Sequence, residues 1–184
     1  MIKSEDSNFE GLKIITRNVH SDSRGNFYKI FSFDDIKSFG WHENVMQVNF
    51  SQTLEKGTIR GMHMQFSNYA EYKLVTCIKG SIFDVAIDLR KESRTYLDYF
   101  SINLDENNKK SLLIPPGFAH GFQVIDSDSQ IIYTHSKTYN KDFEGGIRAT
   151  DPDINIKWPL KVSGLSNRDN ELPLLRDLLD KKIL

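Results

Sequence analysis

Residues 81–89 read Ser81-Ile82-Phe83-Asp84-Val85-Ala86-Ile87-Asp88-Leu89. Alternation of this kind is the period of a β-strand, whose successive side chains point to opposite faces. Phe83, Val85, Ile87 and Leu89 share one face; Ile82, Asp84, Ala86 and Asp88 share the other. Outward from this stretch, short β-rich runs recur: LKIIT (12–16), NFYKIF (26–31), VMQVNF (45–50), GTIRGMHMQ (57–65), YKLVTCI (72–78), LDYFSINL (97–104), SLLI (111–114), FQVI (122–125) and QIIYTHS (130–136). Turn-forming residues separate them, among them Lys79-Gly80, Asp105 to Asn108, Pro115-Pro116-Gly117 and Asp126 to Ser129. Strands at hairpin-like spacing predict an all-β sandwich or barrel rather than an α/β fold. Two stretches predict short helices: Phe33 to Lys37 after Ser32, a capping residue, and Leu174 to Lys182, with apolar residues at 174, 175, 178 and 179 behind Pro173.

Several runs carry polar residues on a face that belongs inside. Asp84 and Asp88 alternate with Ile82 and Ala86; Lys73 shares a face with Val75 and Cys77; Ile131, Tyr133 and His135 line up. A barrel whose lumen holds Lys, Tyr, His and Asp among apolar residues encloses a binding cavity, because a scaffold barrel fills that space with Val, Leu and Ile.

Composition bounds the function. The chain has 184 residues, no internal repeat and no Pro/Gly/Ser linker, so residues 1–184 are expected to form a single domain. Lys+Arg number 24 against Asp+Glu 25, a net charge of −1 that lacks the footprint of nucleic-acid or polybasic membrane binding. One cysteine, Cys77, excludes an internal disulfide and a Cys-rich zinc site. The polar start MIKSEDSNFEG has no signal-peptide core, and no apolar run approaches a membrane span, so a cytoplasmic protein is expected.

The chemistry-bearing positions begin with His63. Gly57 followed by His63, and Pro115-x-Gly117-x-x-His120, resemble the two cupin motifs. Metal cupins add a second histidine and a glutamate; here Gln65 stands in place of that histidine, and Glu71 lies beyond the glutamate position. Two imidazoles fall short of the three or four ligands a transition metal takes, so no metal is expected and His63 and His120 are free for acid–base work. The ordered set Gly61-Met62-His63-x-Gln65, Lys73-Leu74-Val75, Gly80 to Arg90, Ile114 to Phe122, Gly146-Ile147-Arg148, Asp151-Pro152, Trp158-Pro159 and Leu165-Ser166-x-Arg168-Asp169 resembles the dTDP-4-dehydrorhamnose 3,5-epimerase family, from residue 11 to about 177.

The resemblance implies a cupin-type jelly roll acting without a cofactor on a nucleotide-diphosphate 4-keto-6-deoxyhexose, in rhamnose-type sugar biosynthesis, as a homodimer. It implies His63 as base, Asp169 as its hydrogen-bonded partner, Lys73 at the enolate oxygen and Tyr133 as acid. It further implies Arg24, Arg60 and Arg168 at the diphosphate, Gln47, Asn49, Phe27 and Tyr139 around the nucleotide, and His120 and Asp84 either against the sugar or behind the residues that touch it. The early segment with Arg24 is expected to complete the site of the neighbouring subunit. Because Arg60 and His63 fall on opposite faces of a regular strand, a bulge at Gly61 or a phosphate site at the barrel mouth is expected.

Three departures stand out: Lys29 replaces the family's Glu, Val48 its Asp, and Ser67-Asn68 its Pro-Pro pair. An ammonium has only donors and leaves thymine N3–H without an acceptor, so a weaker thymidine preference is expected. The rival readings are a 3- or 5-only epimerase on a CDP- or GDP-linked sugar, a metal-dependent cupin, and a silent sugar-binding cupin.

Overall fold

A computed structural model describes residues 2–180. The chain forms β1 (Ile2–Asp6), β2 (Lys13–Arg17), a short hairpin β3 (His20–Asp22) and β4 (Gly25–Phe27), then α1 (Phe33–Ser38). The barrel strands follow: β5 (Gln47–Thr53), β6 (Ile59–Gln65), β7 (Lys73–Lys79), β8 (Ser81–Asp88), β9 (Tyr99–Asp105), β10 (Lys110–Ile114), β11 (Phe118–Val124) and β12 (Ser129–His135). The short β13 (Glu144–Gly146), α2 (Asn167–Glu171) and α3 (Leu175–Asp180) end the described chain. All strand pairs are antiparallel. One sheet runs β1-β2-β10-β7-β12-β5 and the other β13-β6-β11-β8-β9. Two such sheets facing each other are the jelly roll the sequence predicts, with both faces of the central strands covered.

The alternation in β8 explains that coverage. Ile82 and Ala86 point between the sheets with Val75, Leu112, Phe122 and Ile131. Val85 and Ile87 point the other way and meet Ile147, Ile154, Leu175 and Leu178 of the C-terminal segment. On the far side, Ile36 of α1 and Trp41 cover Ile15, Leu74 and Leu113 of the six-stranded sheet. Each such side chain taken from water contributes about 1.5–3 kcal/mol, so the tail that crosses the five-stranded sheet is anchored by its leucines.

Several elements differ from expectation. NFYKIF is a strand only to Phe27; beyond it, the buried Arg17 guanidinium donates to the carbonyls of Lys29 and Ile30 and holds the segment off the ladder. FQVI is the end of a longer strand whose first half, Phe118 to Gly121, carries the His and Gly that mask it in sequence. β1, β3, β13 and α2 are unforeseen, being short and polar. In α3, Leu175 and Leu178 face inward while Leu179 is exposed, and residues 181–182 of the expected helix lie outside those described.

Candidate active site

A cavity of about 580 Å³ lies between the sheets. One wall comes from β5, β7 and β12, with Gln47, Asn49, Lys73, Tyr133 and His135; the other comes from β6 and β11, with Arg60, His63 and His120. Glu144 of β13 and Ser166, Arg168 and Asp169 at α2 complete the lining.

The strand β6 is built to bring Arg60 and His63 to one cavity. Opposite β11, His63 pairs with His120 and Arg60 with Phe122, so three steps on β6 match two on β11. The extra residue is a bulge at Gly61-Met62, and it turns both side chains the same way. The bulge needs glycine on each strand. A Cβ on Gly61, whose φ is +127°, meets Gly121 Cα at 2.5 Å, and one on Gly121 meets Met62 Sδ at 2.6 Å.

The bulge also recruits the base. Gly61 N–H donates to Asp169 Oδ2 (3.3 Å), and the other carboxylate oxygen lies 2.6 Å from His63 Nε2. Asp169 is 4% exposed, and burial alone pushes its pKa up. The bonds from His63 and Gly61 outweigh that and hold it below the usual carboxylate range. An ionised carboxylate accepts only, so Nε2 carries the hydrogen and Nδ1 keeps a lone pair. The ring itself keeps 29% of its side-chain surface open. Ser166 Oγ accepts from the Asp169 N–H (3.1 Å), so the cap that starts α2 also places the aspartate.

Lys73 lies on the opposite wall, buried, with Nζ 3.4 Å from the His63 carbonyl and 3.4 Å from Glu71 Oε1. Tyr133 packs edge-on to His120 with ring centres 6.1 Å apart, and burial pushes its phenol well above the ordinary tyrosine range. Arg60 Nε donates to Thr53 Oγ1 (2.8 Å), while Arg168 pairs with Glu144, whose other oxygen accepts from the Tyr139 hydroxyl (2.9 Å).

Four expected residues lie elsewhere. Of the two positions expected for Asp84, the structure takes the one behind the cavity wall: it is fully buried beneath His120, 2.7 Å from its Nε2, and supports that ring instead of lining the cavity. Its Oδ2 has no partner, and burial pushes its pKa up. Arg24 pairs with its neighbour Asp22 on the β3–β4 hairpin, and Phe27 is 75% exposed. Lys29, two residues beyond Phe27 in the same segment, lies outside this chain's own cavity and pairs with Asp35 of α1 at 3.2 Å on the surface.

Glu71, Glu144 and Ser166 were not expected in the cavity, and His135 was placed on its wall without a role. The signals were present: Glu71 and His135 stand two residues from Lys73 and Tyr133, and Ser166-x-x-Asp169 has the spacing of a capping box. Gln65 is committed to structure, donating to the carbonyls of Tyr69 and Thr138 and accepting from Asn140 N–H. Among the described residues no group of three or more His, Cys, Asp or Glu is placed to hold a metal ion. The Cys77 thiol is pushed up to about 12 by burial and is no nucleophile.

The model of the family described as dTDP-4-dehydrorhamnose 3,5-epimerase matches residues 6–177. The dTDP-4-dehydrorhamnose 3,5-epimerase of Shigella flexneri is 40% identical over 154 residues, 82% of this chain and 83% of that protein. The dTDP-4-dehydrorhamnose 3-epimerase of Streptomyces niveus is 32% identical, over 95% of this chain and 84% of that one. Among solved structures, the dTDP-6-deoxy-D-glucose-3,5-epimerase of Legionella pneumophila in complex with dTDP-4-keto-L-rhamnose superposes with a TM-score of 0.92 at 35% identity, covering 100% of this chain and 97% of that one.

Proposed function

The chain belongs to the dTDP-4-dehydrorhamnose 3,5-epimerase family, and we propose that it inverts C3 and C5 of a dTDP-linked 4-keto-6-deoxyhexose without a cofactor, in rhamnose-type sugar biosynthesis. One observation carries the proposal. His63 stands on one wall of the cavity and Tyr133 on the other, with Lys73 beside Tyr133. A sugar ring slotted between the sheets therefore has a base on one face and an acid on the opposite face, which is what inversion requires.

The C4 ketone acidifies the hydrogens at C3 and C5. His63 Nδ1 takes one of these protons, the C–H electron pair moves into an enolate, and the imidazolium that forms is stabilised by Asp169. Lys73 Nζ stabilises the negative oxygen as it develops. Tyr133 O–H returns a proton from the other face; burial keeps that phenol protonated at neutral pH. Arg60 and Arg168 supply cations for the diphosphate, with Gln47, Asn49 and Tyr139 nearby for the nucleotide. His120 faces the sugar with Asp84 behind it.

The working unit is a homodimer of single-domain subunits. The outer face of the sheet-edge strand β5 exposes Val48 and Phe50, next to exposed Met46 and Leu54, an apolar stripe suited to a second copy. In that assembly Arg24 and Phe27, which have no role in their own cavity, reach the site of the other protomer. No helix among the described residues is long and apolar enough to cross a membrane, and a cytoplasmic setting accords with the single buried, free cysteine.

The test is incubation with dTDP-, CDP- and GDP-4-keto-6-deoxyglucose in deuterated water, read by mass spectrometry and NMR. Turnover of the dTDP sugar with deuterium entering at both C3 and C5 is expected. Exchange at one carbon alone, or on another nucleotide alone, contradicts the reading.

A further inference from the structure

Glu71 is a buried carboxylate that the mechanism above leaves unused. Its oxygens serve two different residues: Oε1 lies 3.4 Å from Lys73 Nζ and Oε2 lies 3.1 Å from His135 Nδ1. His135 is the register partner of Lys73 on the neighbouring strand. An ionised carboxylate only accepts, so His135 Nδ1 carries the hydrogen and Nε2 is left as an acceptor. Nε2 meets the Asn49 amide nitrogen at 3.4 Å, and Asn49 Oδ1 in turn accepts from Gln47 Nε2 at 2.9 Å. The side chains form one directed chain, Gln47 to Asn49 to His135 to Glu71, running from exposed Asn49 to the buried carboxylate that also holds Lys73.

We propose that Glu71 and His135 are positioning residues for Lys73: His135 clamps the Glu71 carboxylate, and the carboxylate fixes the ammonium where the enolate oxygen forms. The inference rests on the reaction proposed above. The other titratable groups lining this part of the cavity are Tyr133 on the same wall and His63 and His120 on the opposite one. Asp84 lies behind His120 and is bonded to it; burial pushes its pKa up, and the charges of His120 and Lys73 act the other way. Asp169 is bonded to His63. Among the described residues, Glu71 is the carboxylate within 4 Å of the ammonium.

The test measures kcat and KM with dTDP-4-keto-6-deoxyglucose, with dTDP affinity and Tm as controls. Glu71→Gln is expected to lower kcat about 10- to 100-fold with KM and dTDP affinity within about threefold, the pattern of a misplaced transition-state contact. Glu71→Asp, which keeps the carboxylate, is expected to recover most of that loss. His135→Phe, which removes the clamp, lowers kcat with KM likewise unchanged. A folded Glu71→Gln enzyme with the wild-type kcat overturns the proposal, as does a lowered Tm with kcat unchanged. Should Glu71→Gln not fold, an unchanged kcat in His135→Phe overturns it. Failure of the reaction itself is distinct: the wild type then exchanges no deuterium.

Discussion

His63 and His120 face each other across neighbouring strands, and each sets its Nε2 against an aspartate oxygen, at 2.6 Å and 2.7 Å. The two pairs are nonetheless different devices. Asp169 stands on a short helix, where bonds from His63 and Gly61 hold it ionised, and the His63 ring keeps 29% of its side-chain surface open. Asp84 lies inside the sheet with one oxygen unpartnered; burial pushes it towards the neutral acid, and His120 keeps only 5%. A carboxylate held ionised stabilises an imidazolium as it forms, whereas one driven towards neutrality orients a ring and does little for its charge. The difference follows from the second oxygen of each carboxylate, bonded to Gly61 N–H in Asp169 and unpartnered in Asp84, since the histidine distances are the same within 0.1 Å.

The largest effects test that contrast directly. Asp169→Asn is expected to slow epimerisation about 10²–10⁴-fold, the scale of a lost general base. Asp84→Asn is expected to slow it roughly tenfold, the low end for a lost outer-shell partner. Equal losses erase the distinction. Next comes the acid on the opposite wall. Tyr133→Phe is expected to lower inversion about 100-fold while leaving solvent exchange within a few-fold, because enolate formation needs His63 and Lys73 but not the phenol. If both fall by one large factor, Tyr133 acts on positioning.

Stability sharpens the comparison further, with opposite signs. Asp169 has a folded pKa below its unfolded one, so its stabilisation is present above about pH 4 and is lost as pH falls through the folded value. Asp169→Asn is expected to cost about 1.5–3 kcal/mol at pH 7, several degrees in Tm, with the deficit vanishing in acid. Asp84 has a raised folded pKa, so ionising it opposes folding above about pH 4. Asp84→Asn is expected to match or exceed the wild-type Tm at pH 7, with any advantage shrinking in acid; thermal melts of both variants across pH decide it. The smallest effect is none: EDTA is expected to leave the rate unchanged, since each histidine is bound to its own aspartate. A stoichiometric metal whose removal stops turnover contradicts this.

How much of this was legible in the sequence depends on range. The alternation in SIFDVAIDL placed Asp84 and Phe83 on opposite faces, and both are buried or half-buried as such a doubly covered strand requires. The phase conflict between Arg60 and His63 announced the bulge at Gly61, because period two is strict and the two residues had to share a ligand. Whether Asp84 touches the sugar or stands behind His120 was not legible from alternation, which gives a face and not a depth. The pairing of Lys29 with Asp35 was not legible either, since Asp35 lies on a helix whose packing no pattern around residue 29 reveals. The Glu71–His135 link was missed because it joins a loop to a strand 64 residues away.

The most direct measurement compares His63→Asn and His120→Asn with the wild type in one deuterium-exchange experiment on dTDP-4-keto-6-deoxyglucose, following C3 and C5 separately. The account expects label at both carbons in the wild type, reduced but clear label at both in His120→Asn, and none at either in His63→Asn. Exchange surviving at either carbon in a folded His63→Asn enzyme, or lost from both in His120→Asn alone, contradicts it.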